Sequence, residues 1–364
     1  MVQRCCSLED MELNYNFWKN RSVFLTGHTG FKGGWTALWL TKMGAKVNGY
    51  SLAAPTTPNF FTVTKLRERI QTSTIADILD FASLESALLS SKPSIVIHMA
   101  AQSLVRKSYN NPLETFKVNL IGTVNLLEAV RKIDSVEAVV NVTTDKCYEN
   151  NEQLKSYKED DKLGGYDPYS GSKACAEIAS TVYRNSFLNE NKIKLATVRA
   201  GNVIGGGDWA MDRLIPDFLR TIHTKKKLYV RFPNAVRPWQ HVLEPLSGYL
   251  ILAEKLVKNE NNFAGAWNFG PKEIDPRPVS WIINYLSQKT PSLKWEIKNN
   301  LEPHEAGLLL LDSSKAISKL GWMPRWSLEI ALDKTIEWHK AWIENELMNE
   351  LSISQINSYE NYKI

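Results

Sequence analysis

Short apolar runs alternate with longer amphipathic stretches between residues 22 and 200. The runs at 22–26, 45–50, 70–75, 94–99, 136–143 and 194–198 are brief and rich in Val, Ile and Leu, which predicts strands. Between them, apolar residues at helical spacing predict helices at 31–43, 84–91, 112–132 and 169–187. Gly44 follows the first of these as a C-cap. Repeated β-α-β units with short links predict an α/β fold, a doubly wound parallel sheet with helices on both faces.

After Ala200 the pattern changes. Residues 201–207 are glycine-rich, and Pro233, Pro238, Pro245, Pro271, Pro276 and Pro278 punctuate the next stretch. Helical patterns recur at 243–258, 278–288, 313–320 and 328–345. The expected organisation is a cofactor lobe over 1–200 and a smaller C-terminal α/β lobe over 201–346. Segments near 235–265 return to the first lobe, and 347–364 form a polar tail whose last dozen residues are frayed.

The chain has 364 residues, room for two lobes or one large α/β unit at roughly 100–200 residues per domain. With 43 % hydrophobic and 23 % charged residues, a disordered or fibrous chain is excluded. Lys and Arg number 44 against 39 Asp and Glu, a net +5 spread along the chain. Only Lys225-Lys226-Lys227 forms a basic cluster, so nucleic acid is not an expected partner, whereas a small anionic ligand is. Cys5, Cys6, Cys147 and Cys175 form no C-x-x-C and no zinc-spaced set with His. No metal is expected, and the thiols read as reduced, as in the cytoplasm. No run reaches the roughly 18 apolar residues of a membrane span, and residues 1–21, with Glu9, Asp10 and Glu12, read as a short leader. The twelve tryptophans are unusual.

Gly27-His-Thr-Gly30-Phe-Lys-Gly33 lies between a predicted strand and a predicted helix. The first glycine permits the tight turn, the second lets a pyrophosphate approach the backbone, and the third lets helix and strand pack closely. Free N–H groups at the helix start face the anion. Lys32 adds charge near the phosphates or lies in solvent. The acidic residue that would hold the adenosine ribose at the end of the second strand is missing; Tyr50-Ser51-Leu52 stands there. This segment leaves NAD and NADP open. Asp77 reads as a partner for the adenine amino group or as a turn carboxylate.

Tyr169 and Lys173 stand four apart on one helix face, a spacing at which an ammonium stabilises a phenolate and lowers a pKa of about 10. Tyr15/Lys19, Tyr285/Lys289 and Tyr359/Lys363 share the spacing, but only Tyr169 follows a strand ending in Thr143-Thr144-Asp145-Lys146. Thr144 can hydrogen-bond a substrate hydroxyl beside the phenol. His98, His241 and His304 read as structural, and Trp239 as a cleft or core residue.

The glycine loop, the Thr-Thr-Asp-Lys strand end and the Tyr-Ser-Gly-Ser-Lys helix resemble the extended short-chain dehydrogenase/reductase family. Gly27-His-Thr-Gly-Phe-Lys-Gly-Gly-Trp35, His98-Met-Ala-Ala-Gln-Ser103, Arg199-Ala-Gly-Asn-Val-Ile-Gly-Gly-Gly-Asp-Trp209 and Arg237-Pro-Trp-Gln-His-Val242 resemble its CDP-glucose 4,6-dehydratase branch. The match runs from about Val23 to Trp326. It implies a Rossmann-type fold and bound NAD, held by Gly27, Thr29, Gly30, Phe31, Lys32, Gly33, Asp77, Ile78, Ala100, Ala101, Tyr169 and Lys173. It implies a nucleotide-sugar substrate, CDP-glucose, held by Gln102, Ser103, Asn202, Asp208, Arg213 and Arg237. The implied reaction oxidises C4, eliminates water across C5 and C6, and returns the hydride to C6. Tyr169 is then the C4 base, Thr144 and Lys173 assist it, Asp145 is the C6 acid, and Lys146 is the C5 base or stabilises the enolate. A dehydratase or epimerase acting on another nucleotide sugar is the competing reading, though epimerases have no need of Asp145-Lys146. The resemblance also implies a cytoplasmic homodimer or tetramer paired through 112–132 and 169–187, serving dideoxysugar synthesis for surface polysaccharide.

Overall fold

The structure is a computed structural model that describes residues 12–152, 155–190, 192–224, 226–258, 263–272, 277–291, 293–297 and 306–363. Cys5, Cys6, His304, Lys225 and most of the expected leader lie outside the described residues. Seven strands form one sheet: β1 (Ser22–Thr26), β2 (Lys46–Ser51), β3 (Thr72–Ile75), β4 (Ile95–His98), β5 (Ala138–Val142), β6 (Lys194–Ala200) and β7 (Gly265–Phe269). Their order is β7-β6-β5-β4-β1-β2-β3, and every pairing is parallel. The chain winds outward from β1 in one direction and then from β4 in the other. This is the doubly wound Rossmann-type fold, with its switch point between β1 and β4, where such sheets bind ligands.

Alternation along the strands explains why both faces are covered. Val23 and Leu25 enter one core, with Ile95, Ile97, Ala138 and Val140. Phe24 enters the opposite core, with Val96 and Val139. Apolar residues on both faces are what a fully buried parallel strand requires. The first core takes helices α1 (Phe31–Lys42) and, from later sequence, α5 (Leu243–Lys258). The second takes α2 (Phe81–Ser91), capped by Asp80, and the helical run 112–130, here α3. Helix α4 (Pro168–Tyr183) starts at Asp167, whose Oδ1 accepts from Ser170 N at 2.9 Å, with Pro168 at the first turn.

Leu243–Lys258 packs on the sheet as α5, and Gly265–Phe269 adds to its edge as β7. A separate apolar core holds Ile204, Phe218, Trp239, Ile282 and Leu332 and marks the smaller lobe; Trp239 belongs to this core. Its helices include Leu214–Thr224, Val279–Lys289 and α6 (Leu328–Ile343).

Two expectations need correction. The helix expected at 112–132 is interrupted by a π turn at Lys117–Ile121, which turns Asn119 inward. Its amide bonds both main-chain groups of Gln102 (2.9 and 3.0 Å) and the Ser172 hydroxyl (2.9 Å). The polar tail is helical rather than frayed over most of its length: Met348–Glu360 form helix α7. Met348, Ile356 and Tyr359 enter the main core. Trp338 Nε1 donates to Ser352 Oγ at 2.9 Å, and the Tyr359 hydroxyl donates to the buried Glu244 carboxylate at 2.8 Å. Among the described residues, no helix is long and apolar enough to cross a membrane.

Candidate active site

The glycine loop closes over the switch point. Gly27 has φ +78°, and a Cβ there would stand 2.8 Å from Ala100 N, so β1 and β4 meet at van der Waals limits. A Cβ on Gly33 would fall 2.0 Å from Gly27 O. At Gly30 only Gly27 O lies near, at 3.3 Å, leaving that side open to an approaching group. Gly30 is the N-cap of α1, with no side-chain bond to the first-turn N–H groups and no acid in the first turn. A cradle open at its second glycine, beside uncapped N–H groups, fits a pyrophosphate.

Lys32 is part-buried rather than solvated. Burial lowers its pKa to about 8; Arg213, Lys173 and Lys146 push the same way and Asp145 opposes. Lys32, Lys146, Lys173 and Arg213 are thus near enough to act on one another, with Asp145 among them. Thr29 Oγ1 lies 2.9 Å from Ser51 Oγ and donates to Leu52 O at 2.8 Å, so hydroxyls stand where a ribose carboxylate is usual. Asp77 Oδ1 accepts from Leu79 N at 2.9 Å, its turn role. Ile78 is buried and supports Gly122; Phe31 is part-buried beside Gly205. Ala100 N and Met99 N both donate to Thr26 Oγ1, and Ala101 is the next residue, part-buried.

The tip of β5 and the start of α4 meet here. Thr144 Oγ1 donates to Asp145 Oδ1 at 3.0 Å and accepts from Lys146 N at 3.3 Å, and Thr144 lies close enough to the Tyr169 phenol to ease its ionisation. Asp145 is 1 % exposed, and its Oδ2 has no hydrogen-bond partner. Lys146 Nζ stands 3.5 Å from Asn202 Oδ1, across the cleft. Lys173 Nζ donates to Val142 O at 3.1 Å. Burial raises the Tyr169 phenol to about 12, with Thr144 opposing. Burial lowers Lys173 to about 8, with Glu177 opposing. The lowered phenol expected from the Tyr169/Lys173 spacing is not found: burial outweighs the neighbouring cations and pushes both groups toward their neutral forms. The other Tyr/Lys spacings do not build such a site: the Tyr15 hydroxyl bonds Glu360, Tyr285 bonds Asp333, and Tyr359 bonds Glu244.

Arg213 bridges the lobes, with Nη1 3.0 Å from Asp208 Oδ2 and Nη2 3.1 Å from Ser103 Oγ. Arg237 is buried, and its Nη1 donates to Val236 O at 3.2 Å. Asn202 O accepts from Gln240 N at 3.0 Å, and a Cβ on Gly201 would strike Pro238 at 2.3 Å, so the loop after β6 and the Arg-Pro-Trp segment are locked together. Gln102 departs from expectation. Its amide bonds Leu104 N, Leu104 O and Thr115 Oγ1, so its side chain braces the large lobe rather than facing a sugar. The glycines of 205–207 serve packing: a Cβ on Gly206 would meet Trp338 at 2.0 Å, and one on Gly207 would meet Phe60 at 2.4 Å.

His98 is a core residue as expected, 2.7 Å from Thr26 Oγ1 and pushed by burial to about 3. His241 is likewise buried and lowered to about 3. His28, Asn119 and Glu177 do not stand out in the sequence. His28 is enclosed, its Nε2 2.7 Å from Ser73 Oγ, and Gly49 makes room for its ring. Its place in the glycine loop is the available signal. For Glu177 the signal is its position four residues after Lys173. Among the described residues no cluster of His, Cys, Asp and Glu could hold a metal.

The family model described as GDP-mannose 4,6-dehydratase matches residues 24–335. CDP-glucose 4,6-dehydratase of Salmonella typhimurium is 49 % identical over 353 residues, 95 % of this chain and 98 % of that protein. dTDP-glucose 4,6-dehydratase of Shigella flexneri is 24 % identical, over 74 % of this chain and 80 % of that one. The crystal structure of Thermus thermophilus UDP-glucose 4-epimerase in complex with NAD shares the fold, with a TM-score of 0.75 at 22 % identity, covering 87 % and 98 % of the two chains. On the family match across most of its length and the near-half identity to one member, the chain belongs to the GDP-mannose 4,6-dehydratase family.

Proposed function

We propose that this chain dehydrates CDP-glucose to CDP-4-dehydro-6-deoxyglucose, with NAD as its resident cofactor. The observation that carries the reading is Asp145-Lys146 at the tip of β5, directly after Thr144 and beside Tyr169. An oxidation at C4 alone needs only Thr144, Tyr169 and Lys173; an acid and a cation beside them serve an elimination. The 49 % identity to a CDP-glucose 4,6-dehydratase supports the same substrate.

Gly27, Gly30, Gly33, Lys32 and the first-turn N–H groups of α1 would hold the NAD pyrophosphate, and Lys173 its ribose. When bound, NAD accepts the C4 hydride and gives it back at C6. Tyr169, once ionised, takes the C4 hydroxyl proton as phenolate and becomes the phenol, and Lys173, while protonated, stabilises the phenolate before that transfer. The C4 ketone acidifies the C5 proton. Lys146 takes that proton or stabilises the enolate. Asp145 delivers a proton to the departing C6 hydroxyl, which leaves as water, and C5 regains a proton, from Lys146 or solvent, once C6 is reduced. Asn202, Asp208, Arg213, Arg237 and Ser103 line the side where the diphosphate and sugar bind. A guanidinium pairs with phosphate oxygens through two parallel bonds.

Exposed Leu113, Ile121, Ile178, Val182 and Phe187 lie along α3, α4 and the turn that follows α4. This apolar face supports pairing of two copies through a four-helix interface. Cytoplasmic residence fits the substrate and cofactor. The mechanism is tested with CDP-glucose carrying deuterium at C4: product with deuterium at C6 supports it, and complete washout to solvent refutes it.

A further inference from the structure

Glu177 lies one turn beyond Lys173 on α4 and is 1 % exposed. Its carboxylate accepts four bonds. Oε1 takes the Thr143 hydroxyl at 2.5 Å and Arg199 Nε at 2.9 Å. Oε2 takes the Thr197 hydroxyl at 2.7 Å and Arg199 Nη2 at 2.8 Å. Arg199 is 3 % exposed. Its Nη1 donates to the Tyr148 hydroxyl at 2.8 Å and to Glu159 O at 3.1 Å. The Tyr148 hydroxyl donates onward to Asn268 Oδ1 at 2.7 Å. The network thus joins α4 to the tips of β5, β6 and β7.

A buried ion pair is a poor device for stability alone. Desolvation offsets much of the attraction, and apolar residues of equal volume often serve as well. Placement is the informative feature. Thr143 immediately precedes Thr144-Asp145-Lys146, and Glu177 follows Lys173 by one helical turn. One carboxylate therefore grips both segments that carry the chemistry.

We propose that Glu177, with Arg199 as its fixed counter-ion, is a positioning residue that sets the tip of β5 against α4 and so fixes Thr144 and Asp145 relative to Tyr169 and Lys173. The proposal rests on reading the chain as a dehydratase. The carboxylate also bears on the charge of Lys173. The titratable groups facing that ammonium are Glu177 and Tyr169 on its own helix, Cys147 beyond β5, His98 at the end of β4, and Lys32 from the glycine loop. Burial holds Cys147 as a thiol and His98 as a neutral ring, and Tyr169 is a neutral phenol. Among these groups Glu177 is the anion, and it opposes the loss of the Lys173 proton.

Thr143→Val removes one tie and leaves the ion pair whole. The expected result is a fall in kcat of about ten- to a hundredfold, the scale of a small misplacement in an active site. KM and NAD retention stay as in wild type, and Thr143→Ser restores the rate. A wild-type kcat with only a lower unfolding temperature overturns the proposal. Glu177→Gln should move the alkaline limb of kcat/KM to lower pH, and an unmoved limb in folded protein also overturns it. If Glu177→Gln does not fold, the Thr143 variants decide. All rates are ratios to wild type on the nucleotide sugar that wild type dehydrates. Failure of wild type on CDP-glucose counts against the substrate reading, and failure of the ratios counts against Glu177.

Discussion

Asp145 Oδ1 and Lys146 Nζ stand 3.8 Å apart at the tip of β5, the carboxylate side chain 1 % exposed and the ammonium side chain 24 % exposed. The pair puts a carboxyl group and an amine on neighbouring residues, one enclosed and one reaching toward Asn202. An elimination across adjacent carbons needs that arrangement.

Lys146→Ala should therefore separate the two halves of the reaction. NAD binding persists, because the cradle lies in the glycine loop. Dehydrated product disappears, falling at least about a hundredfold, within the usual range for loss of an acid–base group. Product is followed by the alkali-induced absorbance of 4-keto-6-deoxy sugars. Near-wild-type product from this variant removes Lys146 from the mechanism.

The pH dependence is set by Lys173. Burial lowers its pKa to about 8. Below that value the ammonium is present and supports the Tyr169 phenolate; above it the charge is lost. kcat/KM should rise with pH as Tyr169 ionises and break at about 8 into a flat alkaline limb, where each gain in phenolate is offset by lost ammonium. Lys173→Met should lower the rate throughout and abolish the limb. A limb unchanged in that variant assigns it to another group.

Gly33→Ala places a Cβ 2.0 Å from the backbone oxygen of Gly27, which cannot yield as a flexible side chain would. Helix α1 must withdraw from β1, and the pyrophosphate cradle opens. Expected is folded protein without bound NAD, measured by fluorescence titration of the dinucleotide. Wild-type affinity would contradict the cradle.

Helix α7 is part of the core. Tyr359→Ala removes an aromatic side chain that is 1 % exposed and leaves the Glu244 carboxylate one donor short. The expected loss is about 3–5 kcal/mol in denaturant unfolding. An unchanged unfolding midpoint would return the segment to the status of a tail.

The sheet was legible because its strands are apolar on both faces and closed by glycines; Val23, Phe24 and Leu25 feed opposite cores in turn. The candidate site was legible because Tyr169 and Lys173 stand one helical turn apart and Thr144 closely follows a strand. Helix α7 was not. Its Ser352 and Gln355 read as solvent-facing, yet they are buried with partners on distant Trp338 and Lys334. Glu177 was hidden likewise, since a helical glutamate reads as a surface charge until Arg199, from β6, is seen beside it. Asn119 depends on a π turn, and nothing in the helical period of 112–132 announces one. Partners distant in sequence, rather than local pattern, decide all three.

The central claim is that this chain eliminates water from CDP-glucose. The most direct measurement incubates the purified protein separately with CDP-, dTDP-, UDP- and GDP-linked glucose and identifies products by mass. The account predicts loss of one water from CDP-glucose, to a 4-keto-6-deoxy sugar, well ahead of the other three. Dehydration of another nucleotide sugar with CDP-glucose untouched, or epimerisation without water loss, would contradict it.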